Sequence, residues 1–147
     1  MAENRNNRLA EVTALETAEF QTMADILVRK QNAIARLDTA AIQGLVSEEL
    51  SKLNSIRLIE KERAEILKAL SLSGKELNEP AALVEKLGTG DSETYAELHR
   101  KFRAAFDKAL QLNEMCRVLL LHSLAFIRQN IRILTDDGNR KLVDKKA

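Results

Sequence analysis

Apolar residues recur at steps of three and four along most of this chain. In its first half the positions are Phe20, Met23, Leu27, Ile34, Leu37, Ala41 and Leu45, then Val46, Leu50, Leu53, Ile56, Ile59, Ile66 and Leu70. Such spacing sets one apolar face on a helix. From Arg5 to Ser71 there is no proline and a single glycine, Gly44. The pattern predicts one helix of about 65 residues, roughly 100 Å long at 1.5 Å per residue. Gly44 costs about 1 kcal/mol against alanine within a helix. A bend or a close helix contact is expected there, and Ser73-Gly74 supplies the stop.

Residues 75–91 read as the connection. Asn78 can cap a short helix over Glu79–Leu87, with Pro80 in its first turn. Gly88-Thr89-Gly90 ends it, and Asp91-Ser92 caps the last helix. That helix, about 92–135, has the cleanest pattern. Tyr95, Leu98, Phe102, Ala105, Ala109, Leu112, Cys116, Leu119, Ser123, Phe126, Asn130 and Ile133 alternate by three and four. A flanking row of His99, Phe106, Asn113, Leu120, Ile127 and Leu134 repeats every seven. The combined stripe is wider than a two-stranded seam requires. Gly138 marks the expected stop, which leaves 136–147 as a flexible polar tail behind a single helical domain, 1–135.

The fold class expected is all-α: a long antiparallel helical hairpin or coiled coil with a short third helix in its connection. The two long stripes must cover each other. In this reading the first helix outruns the last by about 20 residues, and its surplus lies near the N-terminus or is covered by a bend, the tail or another molecule.

Composition agrees with helix and narrows function. Of 147 residues, 45% are apolar but only 3% aromatic, with one proline and no tryptophan, so strand formers are scarce. Net charge is +1, yet it is split: residues 1–99 carry 12 basic and 17 acidic groups, residues 100–147 carry 11 and 5. Either the halves attract each other within the fold or the basic part meets an acidic partner. The basic residues lack interleaved aromatic platforms, so no nucleic-acid partner is expected. The longest uncharged run of the last helix, Val118–Ile127, is far shorter than the ~20 residues of a membrane span. The first residues hold no apolar signal core, and the expected location is cytoplasmic.

No catalytic constellation can be assembled. His99 lies in the flanking row and His122 just off it, and neither is followed by the lysine and glycine of a phosphotransfer helix. Glu-x-x-His pairs for a di-iron bundle are missing. Cys116, the only cysteine, sits on the apolar stripe, where a small core residue is the plain reading. Gly88-Thr89-Gly90 has no phosphate-loop lysine. The acids Glu48, Glu49, Glu60, Glu62 and Glu65 alternate with Lys52, Arg57, Lys61, Arg63 and Lys68, which reads as a solvated face of i, i+4 pairs. No enzyme activity, metal or cofactor is expected.

Two features point to a partner instead. Asn113, Ser123 and Asn130 interrupt the apolar stripe, either to set helix register or to meet an incoming helix. Met115, Leu119, Leu120, Leu121, Leu124, Phe126 and Ile127 crowd into thirteen residues, more than a two-helix seam absorbs. The candidate binding surface is Asn113, Cys116, Leu119, Leu120, Ser123, Phe126, Ile127 and Asn130, in a helix-in-groove mode.

These residues also carry a family likeness. The charged run Leu58-Ile59-Glu60-Lys61-Glu62-Arg63-Ala64-Glu65-Ile66-Leu67, a short middle helix, and Asn113-Glu114-Met115-Cys116-Arg117-Val118-Leu119-Leu120-Leu121 resemble the FlgN-type flagellar export chaperones over about residues 9–135. Cys116 stands where that family has a second Asn. The resemblance implies a cytoplasmic type III export chaperone. Its partners would be the C-terminal segments of hook–filament junction (hook-associated) proteins and components of the export gate. The competing reading is a structural coiled-coil protein that forms a homo-oligomer through its stripe.

Overall fold

A computed structural model describes the backbone of residues 2–69 and 92–146, and side chains of residues 7–69 and 95–136. Three helices account for them: α1 Ala2–Ala35, α2 Thr39–Ala69 and α3 Ser92–Lys146. The fold is all-α, as the pattern requires. The expected short helix at Glu79–Leu87 and the stop at Ser73-Gly74 lie outside the described residues.

The single long first helix is in fact two. α1 ends at a backbone turn in which Leu37 has a φ of 55°. The Asp38 N–H donates to the Ala33 carbonyl and the Leu37 N–H to the Ile34 carbonyl, both at 3.0 Å. That pair of bonds closes a helix C-terminus with its next residue in the left-handed region. Asp38 then starts α2, its Oδ1 accepting from the Ala41 N–H at 3.1 Å. The chain reverses within three residues. The left-handed position costs a leucine about 1–2 kcal/mol, a penalty glycine avoids. The expected irregularity at Gly44 is absent: α2 runs through it, and a Cβ there would meet open space.

α1 and α2 form the antiparallel hairpin, fastened by charge. Arg8 pairs with Glu62, Glu19 with Lys52, Lys30 with Glu49 and Arg29 with Glu48, at 2.6–3.1 Å. From Arg8 through Glu19 to the neighbours Arg29 and Lys30, the partners on α2 run back from Glu62 through Lys52 to Glu48 and Glu49, which is the antiparallel signature. The sequence pattern has the charges of α2 pairing along their own helix. Glu48, Glu49, Lys52, Glu62 and Arg63 reach across instead, because α2 lies along α1 and presents them to a facing row. The exposed pairs, Arg8–Glu62 and Arg29–Glu48, contribute a few tenths of a kcal/mol each, while Lys30–Glu49 is shielded between the helices.

α3 packs on α1 by a different chemistry. Phe20 of α1 meets Phe102 and Phe106 edge-on, with ring centroids 5.9 and 5.3 Å apart. Seven positions farther along α1, the Leu27 carbonyl accepts the Cys116 thiol at 3.3 Å. Both residue numbers rise together, so α3 runs parallel to α1. The core follows this joint: Met23, Leu27, Ile34, Ile56, Ala109 and Cys116 are buried together, flanked by Leu53, Leu112, Leu119 and Leu120. A second cluster of Ile26, Ala33 and Leu45 seals the hairpin near its turn. Buried Thr13 and Thr17 stay satisfied by donating to the carbonyls four residues earlier.

The length mismatch is therefore reversed. Breaking the first helix at residues 36–38 halves its reach, and α3 continues to Lys146 through Gly138, where a stop was expected. With Leu27 level with Cys116, the same offset sets Ile34 level with Ser123. The 23 positions from 124 to 146 project about 35 Å past the hairpin turn at 1.5 Å per residue.

Candidate functional site

The projecting part of α3 carries the same stripe that α1 covers farther back. Tyr95, Phe102, Ala105, Ala109 and Cys116 are buried, and Leu119 and Leu120 are half-buried at the rim. From Leu124 to Asp136 every side chain is exposed. The seven-residue register does not change across this boundary; only the opposing helix ends. Phe126 is 57% exposed and Leu134 72%, although other apolar residues of the same stripe are sealed. Phe126 also lies apart from the aromatic cluster of Phe20, Phe102 and Phe106. Large exposed apolar side chains arranged in a row mark a surface meant to be covered.

The eight expected contact residues divide along this boundary. Phe126, Ile127 and Asn130 lie on the projecting stripe, and Ser123 is half-buried where α1 ends. Leu119 and Leu120 form the rim and pack against the core. Asn113 is exposed beside the covered part. Cys116 must be withdrawn from the surface: it is 1% exposed beneath α1, its thiol is held by the Leu27 carbonyl, and burial pushes its pKa up. Asn113 and Asn130 are both exposed, so neither sets register from inside the seam. The expected surface stops short of Ile131, Ile133 and Leu134. The latter two are in register with the stripe, but a helix ending at about 135 leaves them in a fraying last turn, whereas α3 continues well beyond them.

Among the described residues no ion pair joins α3 to α1 or α2. Those of α3 stay within it: Glu97 with Arg100, Arg103 with Asp107, and Glu114 with Arg117. α3 docks by its apolar stripe, so its charges face away from α1.

One polar cluster is buried where the three helices meet. Glu16 is 2% exposed, with Oε2 3.7 Å from Nη1 of Arg63 on α2. The Arg63 guanidinium lies 4.6 Å from the centre of the Phe102 ring. Tyr95 and His99 complete the group. Burial raises the Glu16 carboxyl and the Tyr95 hydroxyl, each effect opposed by Arg63. Burial also lowers His99, helped by Arg63 and Arg103. The cluster orients α2 on the other helices. Sequence placed Arg63 on a solvated charged face and gave no sign of Glu16. No group of three His, Cys, Asp or Glu residues suited to a metal ion occurs among the described residues. No helix there is long and apolar enough to cross a membrane.

Comparison with protein families decides what this arrangement belongs to. The family model described as FlgN protein matches residues 1–143. The chain belongs to the FlgN family. The match takes in both the hairpin and nearly all of projecting α3. Neither the curated proteins nor the solved structures gave a match. FlgN proteins are flagellar export chaperones acting in type III secretion, so this chain is a chaperone that binds flagellar export substrates.

Proposed function

We propose that this chaperone captures the C-terminal segments of hook–filament junction proteins in the cytoplasm. It holds them unassembled and hands them to the export gate. The observation that supports this reading is the uncovered stripe from Phe126 to Leu134. An amphipathic segment folding there would bury its apolar face, while ordering the segment offsets part of the gain and keeps capture reversible. The work is binding, without catalysis, cofactor or metal.

Charge placed on the exposed stripe is the cleanest test. Leu120 packs against the core, so Leu120→Glu would harm fold and binding together. Phe126→Glu and Ile127→Glu alter side chains that stand clear of α1. Calorimetric titration of the full chain with C-terminal peptides of hook–filament junction proteins should give tight binding, weakened at least tenfold by either variant. Circular dichroism should show unchanged helix. Undiminished affinity in both variants would remove the stripe from the site. A stable homo-oligomer that captures no peptide would favour the structural coiled-coil reading instead.

A further inference from the structure

Residues 100–147 carry 11 basic and 5 acidic groups, against 12 and 17 over residues 1–99. Two readings fit that split: the parts neutralise each other within the fold, or the basic part meets an acidic partner. With no ion pair between α3 and the hairpin among the described residues, the fold does not use the basic surplus of α3.

That surplus is arranged on a second side of the helix. Arg103, Leu110, Arg117, Leu121, Leu124 and Arg128 succeed one another at steps of seven, four or three, which sets them in one row. Each directly follows a residue of the stripe, as Leu110 follows Ala109 and Arg117 follows Cys116. At 3.6 residues per turn the row is therefore rotated from the stripe by about 100°. All six side chains are exposed, Leu110 at 53% and Leu121 at 55%, both where α1 covers the stripe and beyond its end. Neither α1 nor α2 is what these leucines serve. Arg103 and Arg117 are paired within α3, with Asp107 and Glu114. Arg128, and Arg132 one turn on, make no ion pair among the described residues.

We propose that this leucine–arginine row is a second interaction face, fitted to an acidic amphipathic helix of a protein other than the export substrate. Apolar positions repeating every seven residues keep one side toward a partner helix along its length, and exposed apolar side chains in such a row mark a surface to be covered. Carboxylates of the partner would take paired hydrogen bonds from the guanidinium groups of Arg128 and Arg132. From Leu110 to Arg132 there are 22 residue steps, about 33 Å, so about six turns of partner helix fill the row. An anionic bilayer is the poorer fit, because Asp107 and Glu114 lie beside the row and would face its headgroups. The stripe stays open, so the substrate and this partner are held on different sides of α3.

The test uses the full-length chain and a synthetic helical peptide of about 25 residues, with leucines at heptad spacing and glutamates beside them. Its control is a twin in which lysine replaces glutamate. Calorimetric titration at low salt should show binding of the glutamate peptide, weakened by added salt, and about tenfold weaker binding of the twin. Leu121→Glu and the double variant Arg128→Glu/Arg132→Glu should each weaken binding of the glutamate peptide about tenfold, with helix content unchanged by circular dichroism. Phe126→Glu, which alters the stripe alone, should leave it intact. Equal binding of the two peptides, or binding of neither, overturns the proposal. Loss with Phe126→Glu and not with Leu121→Glu also overturns it, since the peptide would then sit on the stripe. Sedimentation with phosphatidylglycerol vesicles, abolished by Arg128→Glu/Arg132→Glu, would give the row to a lipid surface instead. Because Phe126→Glu probes the stripe and Leu121→Glu the row, either reading can fail without the other.

Discussion

The thiol of Cys116 donates to the backbone carbonyl of Leu27, 89 residues earlier in the chain and 3.3 Å away. This contact fixes the register of α3 on α1 and seals the cysteine from solvent. Burial holds the thiol above its ordinary pKa, so little thiolate is present near neutrality. Labelling of native protein by a water-soluble maleimide is expected to be slow and limited by opening of the α1–α3 joint. It should become fast in urea. Rapid labelling of the folded chain would place Cys116 at a surface after all.

Leu27 and Leu134 are the same residue type on two sides of the boundary. Leu27 is 2% exposed, packed between α2 and α3, while Leu134 is 72% exposed. Leu27→Ala should cost about 2–5 kcal/mol from lost burial and the cavity left behind. Leu134→Ala should stay within about 0.5 kcal/mol. Urea unfolding of the two variants checks this, and equal losses would contradict the projecting α3.

Gly44 lies on the open side of α2, where an added methyl group meets nothing. Gly44→Ala is expected to stabilise the chain by about 1 kcal/mol through helix propensity alone. The thermal midpoint should rise. A fall would mean that the helix needs glycine at this position for a contact or a bend.

His99 makes stability depend on pH. Its folded-state pKa lies below the ordinary value of about 6.5, chiefly through burial and then through Arg63 and Arg103. The unfolded chain therefore binds the proton more readily. This group's contribution is complete above about pH 6.5 and is lost as pH falls below it toward the lowered folded value. Glu16 acts in the opposite sense, since its raised carboxyl pKa makes the folded state the better proton acceptor on acidification. His99→Gln removes the histidine contribution alone. Denaturant midpoints between pH 7 and pH 5 should fall less for this variant than for the wild type. Parallel curves would show that His99 does not titrate against the fold.

The all-α class, the start of the last helix at Ser92 and its apolar stripe were legible in the sequence; the continuation of that helix to Lys146 was not. Helical propensity and three–four spacing are local properties, and Phe102, Ala109, Cys116 and Phe126 display them without reference to any other segment. The likeness to FlgN chaperones was legible for the same reason, as it rests on runs such as Leu58–Leu67. Sequence could not show which part of the stripe is covered. That depended on the reversal at Arg36-Leu37-Asp38, a turn without glycine or proline, marked in advance only by the capping capacity of Asp38. Once the first helix folds back there, α1 ends level with Ser123, so Cys116 is buried and Phe126 is left open. Two residues with the same spacing signal thus acquire opposite roles, because burial belongs to the pair of surfaces that meet and only the tertiary arrangement chooses the pair.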